Sequence, residues 1–440
     1  INELVKRSEK ERECYCNGLY LSARWFTVSQ YDYDGIQMIV LPDKEAAEYC
    51  AADLYNLIEG DRVFFLPDSG KSLERSNYKS SLGVQRTSAI GKVITRNDFS
   101  DSRCSLILVT YPSALAEKIP SVKSITDSVL KISVGDEIAH ESIVESLFAA
   151  GFERVDFVAE PGQFAIRGAI VDIFSYSYND PFRISFFGDE VDAINIFDCN
   201  TQLSKEKTHV ADIYPDITKG ESEESMCSIP DILPDDTLVW LDSSDIYAEN
   251  EFFPQLKKFR RIYLDVPLSC QNKDSIKFNI APQPVFNKNF ELLTEDIRKR
   301  IEEGYRVRIY GEKQSQLDRL KSILSQNSGV MPEFIPHCNI HNGFIDHDNK
   351  VCCYSDHEIF DRFHRVTIRR TVEKSEQLTI NDLTSFAIGD YIVHIDYGVG
   401  VFGGLVRMKD DKGRMHEVVK LTYKDNDVVF VSVHALHKIS

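Results

Sequence analysis

The sequence predicts a multidomain α/β protein that ends in a small all-β module, and three observations predict it. Apolar strand runs and helical patterns alternate through the first 120 residues, which favours a parallel sheet flanked by helices. From about Lys131 the alternation gives way to short strands and turns as far as about Asp198, after which strands of the first kind resume. A polar stretch, TVEKSEQLTINDL from Thr371 to Leu383, then precedes a terminal run made of strands alone.

Taken in order, IQMIVLP reads as a strand, DKEAAEYCAADLYNLI as a helix, DRVFFLP and RCSLILVTYP as strands, and SALAEKI as a short helix. In HESIVESLFAAGF, Ile143, Leu147 and Phe148 share one helical face, so this helix should pack on the sheet that follows it. Past the acidic loop TKGESEES, the strands TLVWLD and RRIYLDV return to the first layer. The helix FELLTEDIRKRIEE, stopped by Gly304, the strand YRVRIYG and the helix QSQLDRLKSILSQ form a compact α/β unit, which NGFIDHDNKVCCYSDHEIF closes with two strands and a turn. The strands GDYIVHIDYGVGVFGGL and EVVKLTYKDNDVVFVSV make the last module. The expected boundaries are 1–120, an insertion at 121–208, a return at 209–286, a small domain at 287–370, a linker at 371–384 and the β module at 385–440.

Composition narrows the function classes. At roughly 100 to 200 residues per domain, 440 residues accommodate about three or four domains. With 69 Asp and Glu against 51 Lys and Arg, the net charge is -18, and its repulsion opposes nucleic-acid binding over most of the surface. No local basic patch stands out. Ten scattered cysteines without a signal peptide point to a reducing cytoplasm, and no apolar run approaches the ~18 residues needed to cross a bilayer. A cytoplasmic monomer is expected. Because the chain begins at Ile1 and stops just after VVFVSV, so is a piece of a longer protein.

Several stretches look chemical. GLYLSARW, from Gly18 to Trp25, has the spacing of a phosphate-binding loop, but Ala23, Arg24 and Trp25 stand where the chemistry needs a glycine, a lysine and a hydroxyl. The loop is read as degenerate, with no ATP bound. DSGKS, from Asp68 to Ser72, contains Gly-Lys-Ser, yet Phe65 occupies the place of the first glycine, so it reads as a polar loop. His337, Cys338, His341, His347, Cys352, Cys353 and His357 are metal-ligand types without a C-x-x-C pair. Adjacent Cys352 and Cys353 would point to opposite faces of a strand, so structural cysteines and surface histidines are expected. No catalytic constellation is found.

EPGQFAIRGAIVDIF, from Glu160 to Phe174, is more informative. Read as one alternating strand, it puts Phe164, Ile166, Ile170 and Phe174 on one face and Arg167 on the other. In PFRISFFGDEV, Phe182, Ile184 and Phe186 share one face, leaving Arg183, Ser185 and Phe187 opposite. If the apolar sets share a core, Arg167, Arg183 and Phe187 share the outer face, with Arg167 able to stand opposite Phe187. Two readings are open: a binding patch, or a Phe187 covered by another domain.

At these residues a resemblance enters. RVDFVAEPGQFAIRGAIVDIF with PFRISFFGDEVDAINIFDCNTQLS resembles the second domain of the bacterial transcription-repair coupling family, Mfd, of which the excision-repair protein UvrB carries a related version. The first segment, the return at TLVWLD and the stretch around CCYSDHEIF resemble the amino-terminal half of that family. GDYIVHIDYGVGVFGGL with YKDNDVVFVSVHALHKIS is similar to its polymerase-interacting module, shared with CarD-type regulators. UvrB itself fits less well, because its family keeps an intact phosphate loop and a long DNA-inserting hairpin, and carries no such module.

The resemblance implies a degenerate helicase-type, UvrB-like α/β domain with an inserted α+β domain, a further small α/β domain and a Tudor/SH3-like β-barrel. It implies that UvrA is bound at Arg167, Arg183 and Phe187, with Arg154 a further contact, and that the barrel adds the strand Gly404 to Lys409 to the β subunit of RNA polymerase through Leu405, Val406, Arg407, Met408 and Lys409. The function implied is an adaptor joining stalled transcription to nucleotide excision repair, without a cofactor of its own. ATP, magnesium and most DNA contact are implied for a translocase in the family's other half. A UvrB-like ATPase and a CarD-like regulator are the alternatives.

Overall fold

The structure, a computed structural model, describes residues 2–60, 62–70, 76–96, 105–178, 180–199, 201–217, 226–327, 331–362, 389–394, 398–409, 415–423 and 427–432. The chain forms two compact units, Ile1–Thr371 and Val372–Ser440. The acidic loop at 218–225 and the linker expected at 371–384 lie outside the described residues. As expected, the chain is a mixed α/β protein with several sheets.

The first unit is built on seven parallel strands in the order Ile276–Lys277, Glu13–Asn17, Arg260–Tyr263, Leu238–Leu241, Ile36–Val40, Leu106–Thr110 and Val63–Phe65. The runs IQMIV, LILVT and LVWL are buried at every position, as strands of a parallel sheet covered on both faces must be. Alternation divides their side chains between two cores: Ile39, Val109, Trp240 and Ile262 enter one, Met38, Val40, Leu108 and Leu241 the other. Both polar residues within these three runs are satisfied: Gln37 accepts a hydrogen bond from the Trp240 indole at 2.9 Å, and Thr110 Oγ1 donates to the Leu66 carbonyl at 3.1 Å.

Late strands thus lie between early ones, and the chain between them makes an excursion. One helix on the parallel sheet, Ser76–Arg96, escapes the sequence reading because Ser, Thr and Gly interrupt its pattern. It nevertheless buries Val84, Ile90 and Val93, and the almost inaccessible Arg86 donates to the carbonyls of Pro67, Ala114 and Glu117 at 2.7, 3.1 and 3.2 Å.

The excursion is a second sheet of six strands that neighbour one another in chain order: β1 (Glu153–Arg154), β2 (Gln163–Arg167), β3 (Ile170–Ile173), β4 (Phe182–Phe187), β5 (Glu190–Phe197) and β6 (Ser204–Thr208). All neighbours are antiparallel except β1 and β2. The helix His140–Ala149 covers one face with Ile143 and Leu147; Phe148 is half exposed and meets Phe164 edge-on at 5.2 Å.

A third, five-stranded sheet carries the helices Phe290–Glu302 and Gln314–Asn327. Its end adds the short helix Asp356–Ile359 where only strands and a turn were expected. Asp53, on the helix Lys44–Leu57, ties this sheet to the first: its buried carboxylate accepts from Ser22 Oγ at 2.6 Å and from the His341 amide at 2.7 Å. Burial pushes that carboxyl up to about 7, against the two hydrogen bonds that favour its charge.

The second unit is an antiparallel sheet of β7 (Tyr391–His394), β8 (Gly398–Lys409), β9 (Met415–Thr422) and β10 (Val428–Ser432), in that order. Phe402, Val419, Leu421 and Val431 form its buried side.

Candidate protein-interaction face

The face opposite the helix His140–Ala149 is where the sequence placed its candidates. EPGQFAIRGAIVDIF is not one strand, however, but the hairpin of β2 and β3, joined by the two residues Gly168 and Ala169. A loop this short needs a primed turn, and Gly168 supplies the positive φ of +62°. The turn reverses the phase of alternation. Phe164, Ile166, Val171 and Ile173 therefore line the core face, and Ile170, expected in the core, stands with Arg167 and Asp172 outside. A second such turn, Gly188 with Asp189, joins β4 to β5, and Gly188 has φ +64°.

Arg167 and Phe187 each immediately precede one of these turns, at the same end of the sheet. They are not cross-strand partners: Arg167 pairs with Ile170, and Ile170 with Ser185, so β3 runs between them. Arg183, Ser185 and Phe187 do share the outer face of β4 with them, and the Phe187 ring is 81% exposed, so nothing described covers it. Arg154 lies apart from Arg167, Arg183 and Phe187. Its register partner is Phe164, which places it on the opposite, helix-bearing face, at the exposed edge strand.

The residue that organises the face is Asp172, which the sequence reading passed over. Its side chain is 1% exposed, yet it sits on the outer face of β3 directly across from Arg183. Arg183 holds it with two parallel bonds, Nε to Oδ1 at 2.8 Å and Nη2 to Oδ2 at 2.9 Å, and Arg167 Nη2 donates to the same Oδ2. Arg183 also donates to the Gln202 backbone carbonyl at 3.2 Å and to Gln202 Oε1 at 2.9 Å, and its guanidinium lies 4.0 Å from the buried Phe197 ring. A carboxylate inside the apolar run IVDIF was the available signal.

In the second unit, the first part of β8 pairs with β7 at 398–401 and with β9 at 401–402. A bulge at Gly403 and Gly404 follows, and positions 405–409 pair with β9 alone among the described residues. GLVRMK is thus not a separate strand but the second half of a longer one, with one paired edge among the described residues. Val406 is half-buried; the side chains of Leu405, Arg407, Met408 and Lys409 lie outside what is described.

The phosphate-loop residues connect a parallel strand, Glu13–Asn17, to a helix, Ala23–Ser29, as such loops do. Trp25 is buried in the core. Arg24 Nη1 pairs with Asp242 Oδ2 at 2.7 Å and its Nε donates to the Leu19 carbonyl at 3.1 Å, inside the loop itself. A Cβ on Gly18 would lie 2.3 Å from the Phe278 carbonyl oxygen, so the backbone just after the strand Ile276–Lys277 fills the space beside the turn. Burial raises the Asp242 carboxyl, and Arg24 opposes that rise.

Cys352 and Cys353 enter opposite cores, as adjacent strand residues must, while His357 is buried rather than on the surface. Among the described residues no group of three His, Cys, Asp or Glu is placed to hold a metal ion, and no helix is long and apolar enough to cross a membrane.

Residues 130–218 match the UvrB interaction domain, and residues 386–440 match the CarD-like/TRCF RID domain. Across most of its length the chain is also similar to transcription-repair-coupling factors. It is 22% identical to that of Bacillus subtilis (strain 168), over 89% of this chain and 42% of the relative. It is 20% identical to that of Staphylococcus aureus (strain bovine RF122 / ET3-1), over 96% and 44%, and 21% to that of Borreliella burgdorferi, over 76% and 35%. The resemblance to the transcription-repair coupling family is borne out, and the chain spans less than half the length of these relatives.

Proposed function

We propose that this chain is an adaptor that recruits UvrA through the outer face of the inserted sheet and binds the RNA polymerase β subunit through the second half of β8, coupling stalled transcription to nucleotide excision repair. The observation that carries the reading is the exposed Phe187 on the same sheet face as an arginine pair ordered by a buried carboxylate, within the residues that match the UvrB interaction domain. A rigid aromatic next to oriented guanidiniums is the composition of an interface hot spot. Positions 405–409 pair with β9 alone among the described residues, which suits strand addition, and that segment lies within the CarD-like/TRCF RID match.

In this reading the chain needs no cofactor and turns over no ATP, and the Arg24–Asp242 pair occupies the cation's place in the phosphate loop. ATP, magnesium and most DNA contact belong to the part of the relatives beyond the match. The β module is a Tudor/SH3-like barrel, the first domain a decayed UvrB-like helicase fold with its insertion at 121–208, and the protein a cytoplasmic monomer.

A chain ended near Val372 keeps the first compact unit intact. It is expected to capture UvrA as well as the 440-residue chain does and to lose the polymerase β subunit. Capture of polymerase alone by the full chain, with no UvrA on either form, would leave a CarD-like regulator as the better description.

A further inference from the structure

The two arginines of the outer face are not equivalent. Four donor contacts of Arg183 are satisfied internally, two by Asp172 and two by Gln202, and Phe197 covers one side of its guanidinium. Gln202 is itself fixed in a left-handed conformation, φ +61°, with its amide on the Asp198 carbonyl at 2.7 Å. Arg167 differs. It gives one Nη2 bond to Asp172, its other N–H groups meet no acceptor among the described residues, and its side chain is 34% exposed.

Its guanidinium also lies 4.9 Å from the ring of Phe157, which follows the edge strand β1 and is 61% exposed. An exposed phenyl ring is poorly explained by folding alone, and stacking on an arginine fixes both groups at little entropic cost. Asp172 is too deeply buried to touch a partner and can act only through the arginines it holds.

We propose that Phe157 is a second aromatic anchor of the docking face, and that Asp172, Arg183 and Gln202 are positioning residues that hold Arg167 against it. The free donors of Arg167 then receive one carboxylate of the partner, with apolar partner groups packed on the exposed Phe157 and Phe187. This inference rests on the reading that UvrA docks on this face. It changes the division of labour: Arg167 makes the direct ionic contact and Arg183 supports it from behind.

The test titrates purified UvrA onto the 440-residue chain. Phe157→Ala is expected to weaken binding about fivefold to tenfold, with an unchanged melting temperature because the ring is exposed. In an Arg167→Ala background the same change should alter affinity less than about twofold, since the two side chains act as one unit. Arg167→Lys, which keeps the charge but loses the guanidinium fork over the ring, should fall between wild type and Arg167→Ala. If Phe157→Ala binds as wild type while Phe187→Ala and Arg167→Ala bind weakly, this inference is overturned and the docking reading stands. If Phe187→Ala and Arg167→Ala both bind as wild type, the docking reading itself fails and takes the inference with it.

Discussion

Asp172→Ala is expected to lower stability by about 3–5 kcal/mol and to abolish measurable UvrA binding. The magnitude follows from what the change leaves behind. Asp172 is a buried carboxylate held by two arginines, one of them largely covered. Without it, Arg183 retains a positive charge in a space shaped for an ion pair, and Arg167 loses the bond that directs it. Asp172→Asn, which keeps an acceptor oxygen but not the charge, should lie between the two. Urea denaturation followed by tryptophan fluorescence or circular dichroism measures the loss. An unmoved midpoint in the alanine variant would mean that the carboxylate does not hold the arginines as described.

Asp242→Ala should be comparably costly, again about 3–5 kcal/mol, because Arg24 would be left inside the loop without its counter-charge. The variant should gain no affinity for ATP. Ala23 begins the helix where close backbone approach is required, and Trp25 is packed in the core where a magnesium-binding hydroxyl would be needed. Thermal melting gives the first quantity and titration with a fluorescent ATP analogue the second. Micromolar ATP binding by the wild-type chain would revive the ATPase alternative.

Much of the fold was legible because burial on both faces leaves near-continuous apolar runs, and IQMIV, LILVT and LVWL are all parallel strands. Helices with a clear stop or cap, such as Phe290–Glu302 with Asn289 before it and Gly304 after it, were equally plain. The helix Ser76–Arg96 was not, because its stability comes from packing and from Arg86 rather than from helix-forming residues. In the candidate site, Arg167, Arg183 and Phe187 were placed on the correct face, but partly for a wrong reason. EPGQFAIRGAIVDIF alternates so evenly that the Gly168–Ala169 turn is invisible, and the phase reversal that moves Ile170 outward cannot be read from period alone. Asp172 was missed because an acid in an apolar strand has no meaning until its cross-strand partner is known, and that partner, Arg183, is eleven residues away. Phe157 was missed for a related reason: its partner, Arg167, lies across a loop and a strand edge.

Recruitment of UvrA by this face stands or falls on the affinity of UvrA for the Phe187→Ala chain. The ring is 81% exposed, so its removal should leave folding untouched. Isothermal titration should then show binding about 10-fold to 30-fold weaker than wild type, at an unchanged melting temperature. Equal affinity for the two chains would contradict the assignment of this face.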